Sequence, residues 1–218
     1  ISEVGHYILE DNVAVEFNIP PCNSVEAFEN EVTFTLNELK KKLKTYDFST
    51  ESALIFPEEE LKTADAWVFG CEPDYNAWDL TENEKPNCEE KNLRSAGGHI
   101  HVGSYIAQEN PVDTIKAMDL FLGVPSVVLD TTGNTRRKLY GNAGACRLKE
   151  YGVEYRTLSN FWIFNKDLIK WAYEGTKRAL EFVYNKNTIS EKDGNRIQNC
   201  INNGNLIDYE YLAKTYGL

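Results

Sequence analysis

Ser95-Ala-Gly-Gly-His-Ile-His-Val-Gly103 and Tyr151-Gly-Val-Glu-Tyr-Arg-Thr-Leu-Ser-Asn-Phe-Trp162 decide how this chain is read. The first places two imidazoles two residues apart on an alternating apolar segment. The second does the same with a carboxylate and a guanidinium. In a strand, residues i and i+2 point to one face. His99 and His101 are therefore expected on one sheet face, and Glu154 and Arg156 on one face too. Such a face is poor core material, because unpaired buried charge is costly. It suits metal ions and phosphate. The chain has only three histidines, and two of them stand here.

The 218 residues suit a single domain, and 42% hydrophobic with 12% aromatic residues supply a sizeable core. The net charge of −11 and pI near 4.8 argue against general nucleic-acid binding, which needs a basic face. ATP is not excluded, since it needs only a local cationic cluster. Cys22, Cys71, Cys88, Cys146 and Cys200 are scattered, with no CxxC pair. They read as reduced thiols of a cytoplasmic protein. No apolar run of about 18 residues exists, so no membrane span is expected, and no secretory signal is visible.

Outward from the two motifs, the pattern is α+β. Asp11 to Pro21 reads as a strand ended by two prolines, with Val13, Val15 and Phe17 on one side and Glu16 and Asn18 on the other. A helix opens at Asn23 or Ser24, with Phe28, Val32, Leu36, Leu39 and Leu43 at helical spacing and lysines in its last turns. Ser52 to Phe56 is a short strand, and Pro57-Glu-Glu-Glu60 opens a short helix. Gly70 to Trp78 is a loop of acids, an amide and aromatics, and Thr81 to Asn92 a polar exposed loop. Leu93 to Ser104 is a strand, and Val112 to Leu122 a helix introduced by Asn110-Pro111. Pro125 to Leu129 fits a strand or a buried helix. Asn134 to Ala145 is a basic loop with Arg136, Arg137 and Lys138, followed by Arg147. Val153 to Thr157 is a strand. A long helix begins at Asn165 or Asp167, and a helix pair covers about 191–202 and 209–216. One domain over 1–218 is expected, with a core over 5–187 and a C-terminal helical extension over 188–218.

Each candidate residue also has a plain structural reading. Glu16 is either a ligand for a hard cation, which prefers carboxylate and amide oxygens, or an exposed strand residue. His99 and His101 can bind zinc as neutral imidazoles, or form a polar strand edge. Gly97-Gly98 favours the functional side, since strand glycines mark close backbone or ligand approach. Glu154 and Arg156 can form a simple ion pair, although Arg suits bidentate phosphate or carboxylate contact. Arg136, Arg137 and Lys138 are either a solvated cluster or a phosphate clamp. Together these residues make a phosphoryl-transfer site, which needs positioning and positive charge above all. No P-loop and no GxGxxG run is present.

The segments Asp11–Asn18, Gly70–Trp78, Ala96–Gly103, Arg136–Gly144 and Tyr151–Trp162 together resemble the phage-type carboxylate–amine ligases, COOH–NH2 ligase type 2. These belong to the glutamine synthetase and glutamate–cysteine ligase superfamily. The resemblance runs from about Gly5 to Trp162. It implies a curved antiparallel sheet with a concave active face backed by helices, a glutamine synthetase/guanido kinase-like fold. It implies ATP and Mg²⁺ or Mn²⁺ as cofactors, and a reaction through an acyl phosphate that an amine resolves to an amide. Glu16, Glu154 and one of His99 and His101 would hold metal. Arg156 would stabilise the transferring phosphoryl group. Arg136, Arg137 and Lys138 would touch phosphates, with Arg137 near the reacting group and Asn18 near the nucleotide. The family's earlier acidic strand does not precede Gly5, so an N-terminal strand is expected to be missing. A phage protein of the host cytoplasm is implied.

Small-molecule or peptide carboxylates and amines are the expected partners, with no nucleic acid and no membrane. Homo-oligomers are common in the superfamily, and Trp78 and Trp162 are expected to be exposed and available to an interface. Two other readings remain: a non-catalytic nucleotide-binding relative, and a metal-dependent hydrolase using His99, His101 and Glu154. Glu154→Ala is expected to abolish Mg-dependent nucleotide binding with the fold intact, because a carboxylate facing solvent contributes little packing.

Overall fold

A computed structural model describes residues 5–11, 13–49, 51–67, 74–84 and 90–218. The strands are β1 (Tyr7–Asp11), β2 (Ala14–Asn18), β3 (Ala53–Ile55), β4 (Tyr75–Asn76), β5 (Leu93–Ser95), β6 (Ile100–Gly103), β7 (Ala145–Lys149) and β8 (Gly152–Tyr155). The helices are α1 (Val25–Lys42), α2 (Tyr105–Glu109), α3 (Pro111–Met118), α4 (Val124–Leu129), α5 (Asn134–Arg137), α6 (Lys166–Tyr184), α7 (Glu191–Asn203) and α8 (Leu206–Tyr216). A π-helical turn over Asp119–Gly123 joins α3 to α4, and 3₁₀ turns cover Glu58–Glu60, Asp65–Trp67 and Asn160–Trp162.

The α+β class holds, and the sheets differ from the single curved sheet expected. The described strands pair, all antiparallel, in three small sheets: β1-β2, β3-β5, and β4-β7-β8-β6. The strand expected from Asp11 is the second arm of a hairpin, with Leu9 opposite Glu16. Its alternation is as expected: Val15 and Phe17 are half-buried, and Glu16 and Asn18 exposed. The segment expected as one strand from Leu93 to Ser104 splits into β5 and β6. Between them, Gly98 donates its N–H to Leu158 O at 3.0 Å, and Gly97 bridges Ser159.

Helix boundaries follow local chemistry. Ser24 Oγ accepts from the Ala27 N–H at 3.1 Å and starts α1, and lysines close it. Asn165 caps α6 by accepting from the N–H groups of Asp167 and Leu168. Ser190 and Asn205 cap α7 and α8, and Gly204 and Gly217 end them in the left-handed region. Pro125 to Leu129 is helical, within α4, and Asn134–Arg137 forms a helical turn where a loop was expected.

The core lies between the apolar face of the four-stranded sheet and the helices. Ile100, Val102, Val153 and Tyr155 face Ile115, Met118, Leu120 and Leu122, all buried. Ile197, Cys200, Ile201 and Leu212 belong to the same cluster, so α7 and α8 share the core over which they were expected only as an extension. Cys22, Cys146 and Cys200 are free thiols, while Cys71 and Cys88 lie outside the described residues. Among the described residues no helix is long and apolar enough to cross a membrane.

Candidate functional site

Antiparallel register lines up the chemistry on the face of the sheet opposite the core. His101 of β6 stands opposite Glu154 of β8, which stands opposite Arg147 of β7. Alternation puts Arg156 and Lys149 on the same side as Glu154 and Arg147. The side chains then converge on Glu154. Arg156 donates Nη1–H to Glu154 Oε1 in a short charged hydrogen bond. Lys149 Nζ lies 3.1 Å from Oε2, and Arg147 Nη1 3.7 Å from Oε1. Arg156 also donates Nε–H to Asp74 Oδ2 at 3.0 Å. Three cations thus surround two carboxylates, leaving the cluster net positive in an acidic chain.

Both histidines reach this cluster, as the spacing implied. His99 Nδ1 lies 3.5 Å from Glu154 Oε1 and 3.3 Å from Arg156 Nη1. Burial, then the Arg156 charge, hold the His99 imidazole well below its ordinary value, so it is neutral at neutral pH. Burial also lowers His101, with Glu154 opposing. His101 Nδ1 is 2.5 Å from the Tyr151 hydroxyl at the exposed rim. For Glu154, burial pushes the carboxyl up, but the hydrogen bond and charge of Arg156, with Lys149, outweigh it and hold it below its usual range.

The basic run behaves differently from a phosphate clamp. Arg136 is buried and donates Nη1–H to Thr157 O at 2.9 Å and Nη2–H to Arg156 O at 3.0 Å. Burial lowers it to about 10, so it stays charged. Arg137, buried as well, donates to Ser126 O and Asn134 Oδ1 and lies 3.6 Å from Asp130. Arg136 thus ties the 134–142 segment to the end of β8, and Arg137 ties it to the end of α4. Only Lys138 of the three is exposed.

Glu16 and Asn18 stand on the β1-β2 hairpin, a separate sheet from the one carrying Glu154. Among the described residues no group of three or more His, Cys, Asp and Glu side chains could hold a metal ion. Glu154 is already engaged by Arg156, Lys149 and Arg147. The described residues therefore do not by themselves fit the implied Mg²⁺ or Mn²⁺ centre. The cationic cluster does fit an anion such as phosphate or carboxylate.

The aromatics expected at an interface are internal. Trp162 is buried and stacks on Phe28 with ring centroids 5.9 Å apart. Trp78 is half-buried and donates its indole N–H to Asp119 Oδ2 at 2.7 Å. A cleft of about 460 Å³ opens on its other side, lined by Trp78, Asp113, Lys116, Phe182, Ser190 and Gln198 among others, and its lining includes none of the front-face residues. Of the acidic-aromatic loop, Gly70 to Pro73 lie outside the described residues, as do residues 85–89 of the polar loop.

Lys149 and Asp74 escaped the sequence reading as site residues, and Arg147 was grouped with the basic loop. The signal was present: Arg147-x-Lys149 repeats the i, i+2 charge spacing of Glu154-x-Arg156 across a short turn. No curated protein and no solved structure gives a significant match to the chain. The sequence model of the phage phiEco32-like COOH.NH2 ligase-type 2 family matches residues 91–181, the segment that carries His99, His101, Arg147, Lys149, Glu154 and Arg156.

Proposed function

We propose that this chain activates a carboxylate with ATP and transfers the acyl group to an amine. The observation that carries the reading is a coincidence of two independent facts. The segment matching a carboxylate–amine ligase family is the segment whose strands gather the cationic cluster. In this reading an oxygen of the substrate carboxylate attacks the γ-phosphorus, the bond to the β–γ bridging oxygen breaks, and ADP leaves. The amine nitrogen then attacks the acyl carbon, and inorganic phosphate departs with the electrons of the broken C–O bond.

Both anions need positive charge, and Arg156, Arg147 and Lys149 supply it where charge shifts in the transition state. Asp74 and Glu154 hold Arg156 in place by its Nε and Nη1. His101, neutral and hydrogen-bonded at the rim, takes the proton that the attacking amine releases. Arg136 and Arg137 act indirectly, by fixing the loop beside β8.

Calorimetric titration of ATP in Mg²⁺, with an EDTA control, tests the first half. ADP release across a panel of carboxylates and amines tests the second. Arg156→Gln is expected to lower ADP release by about 10²-fold. ATP binding without ADP release for any pair would favour a non-catalytic nucleotide-binding relative. No binding at all would remove the ligase reading.

A further inference from the structure

Asp119 is fully buried in the first position of the π-helical turn, directly behind the strand whose front face carries Glu154 and Arg156. Tyr155 and Thr157 alternate with those two residues and point backwards. Both reach the same carboxylate: the Tyr155 hydroxyl donates to Asp119 Oδ1 at 2.8 Å, and Thr157 Oγ1 lies 3.3 Å from it. The other oxygen accepts from the Trp78 indole at 2.7 Å. Trp78 ends the segment that begins with Asp74, and Asp74 is the partner of Arg156 Nε.

One carboxylate therefore holds both β8 and the Asp74–Trp78 segment, which lie on either side of β7, and so holds the strand that carries Arg156 and the segment that carries its partner Asp74. The local sequence is shaped for this. A Cβ at Gly123 would stand 2.6 Å from Ile201 Cδ1, 2.8 Å from the Tyr155 hydroxyl and 3.3 Å from Asp119 Oδ1, so a larger residue there would crowd both the core and the hydroxyl. An added residue per turn is what π geometry supplies, and such turns gather at functional positions. An isolated buried carboxylate is expensive. Burial raises Asp119 to about 7, with the Trp78 and Tyr155 hydrogen bonds opposing.

We propose that Asp119 is a positioning residue that locks, from behind the sheet, the Trp78 end of the Asp74–Trp78 segment to β8 across the intervening β7 and so aims the Arg156 guanidinium. Its role in turnover rests on the ligase reading of the front face. The geometry it invokes does not.

The test uses the full chain in three forms: wild type, Asp119→Asn and Tyr155→Phe. Hydrogen exchange of the Arg156 Nε–H, assigned by its loss in Arg156→Lys, reports whether the Arg156–Asp74 hydrogen bond survives. Both variants are expected to speed that exchange by tenfold or more, and to lower kcat for ADP release about tenfold with less than a threefold change in KM for ATP. Tyr155→Phe removes one hydroxyl and keeps the ring, so it serves if Asp119→Asn does not fold. Faster exchange in a protein that releases no ADP would support the positioning role while removing the ligase reading. Unchanged exchange in a folded Tyr155→Phe chain overturns the inference, whatever the activity.

Discussion

Glu154 sits at the meeting point of Arg156, Lys149 and Arg147 with only 3% of its surface exposed. That differs from the solvent-facing carboxylate its strand position suggested, because β7 lays two cations across it. Removing the charge leaves three cations facing one another, and breaking a buried pair is far costlier than losing a surface one. Glu154→Gln is expected to lower stability at neutral pH by about 2 kcal/mol, read by denaturant unfolding. The pH dependence has a definite sign. The folded carboxyl is held below its unfolded value, so its contribution is fully present above the ordinary carboxylate range. It is lost as pH falls through the lowered folded value. The gap between wild type and Glu154→Gln should therefore close in acid. A gap that stays constant from pH 7 to 3 would show that the cluster does not hold Glu154 charged.

At the scale of elements, the site depends on how closely residues 96–99 approach the end of β8. A Cβ on Gly98 would stand 2.4 Å from Ser159 O and 2.5 Å from Trp162 Nε1. The first obstacle is backbone and cannot turn aside. The Gly97-Gly98 pair thus marks close backbone approach, one of the two meanings its sequence allowed. Gly98→Ala is expected to cost about 2 kcal/mol by overpacking. Because His99 follows directly, the same change should weaken ATP binding in calorimetry. Wild-type stability and binding in Gly98→Ala would mean that this segment has slack. The charged run on the neighbouring loop shows the opposite lesson. Arg136 and Arg137 turn inward to backbone carbonyls, and a sequence run of like charge does not say which of its members face solvent.

For the whole molecule, the helices after Asn187 are part of the fold's centre. Ile197, Cys200, Ile201 and Leu212 are fully buried in the same cluster as Tyr155 and Leu122. Asn202 Oδ1 also accepts from the Ala143 N–H at 2.8 Å, tying α7 to the loop that leads into β7. At about 2 kcal/mol for each buried apolar side chain, these four represent a large share of a typical domain's net stability. A chain ending at Asn187 is expected to lose cooperative thermal unfolding in calorimetry. A sharp transition in that truncated chain would make 188–218 a dispensable appendage.

Local signals were legible because their physics is local. Caps at Ser24 and Asn165, the spacing of apolar residues in α1, and the alternation in β2, β6 and β8 each depend on neighbours within a few residues. The same alternation brought His99, His101, Glu154 and Arg156 to one face, because the pleat allows no other outcome once the strands pair. Pairing itself, and everything it decides, came from the tertiary structure. Register between β7 and β8 set Arg147 and Lys149 on Glu154. A separate hairpin carried Glu16 and Asn18 to another sheet. Packing of the π turn behind β8 drew Asp119 to Tyr155 and Trp78. The Asp119 contacts join residues 36 and 41 positions apart, and the energies of all these contacts depend on burial and distance, which no spacing along the chain encodes.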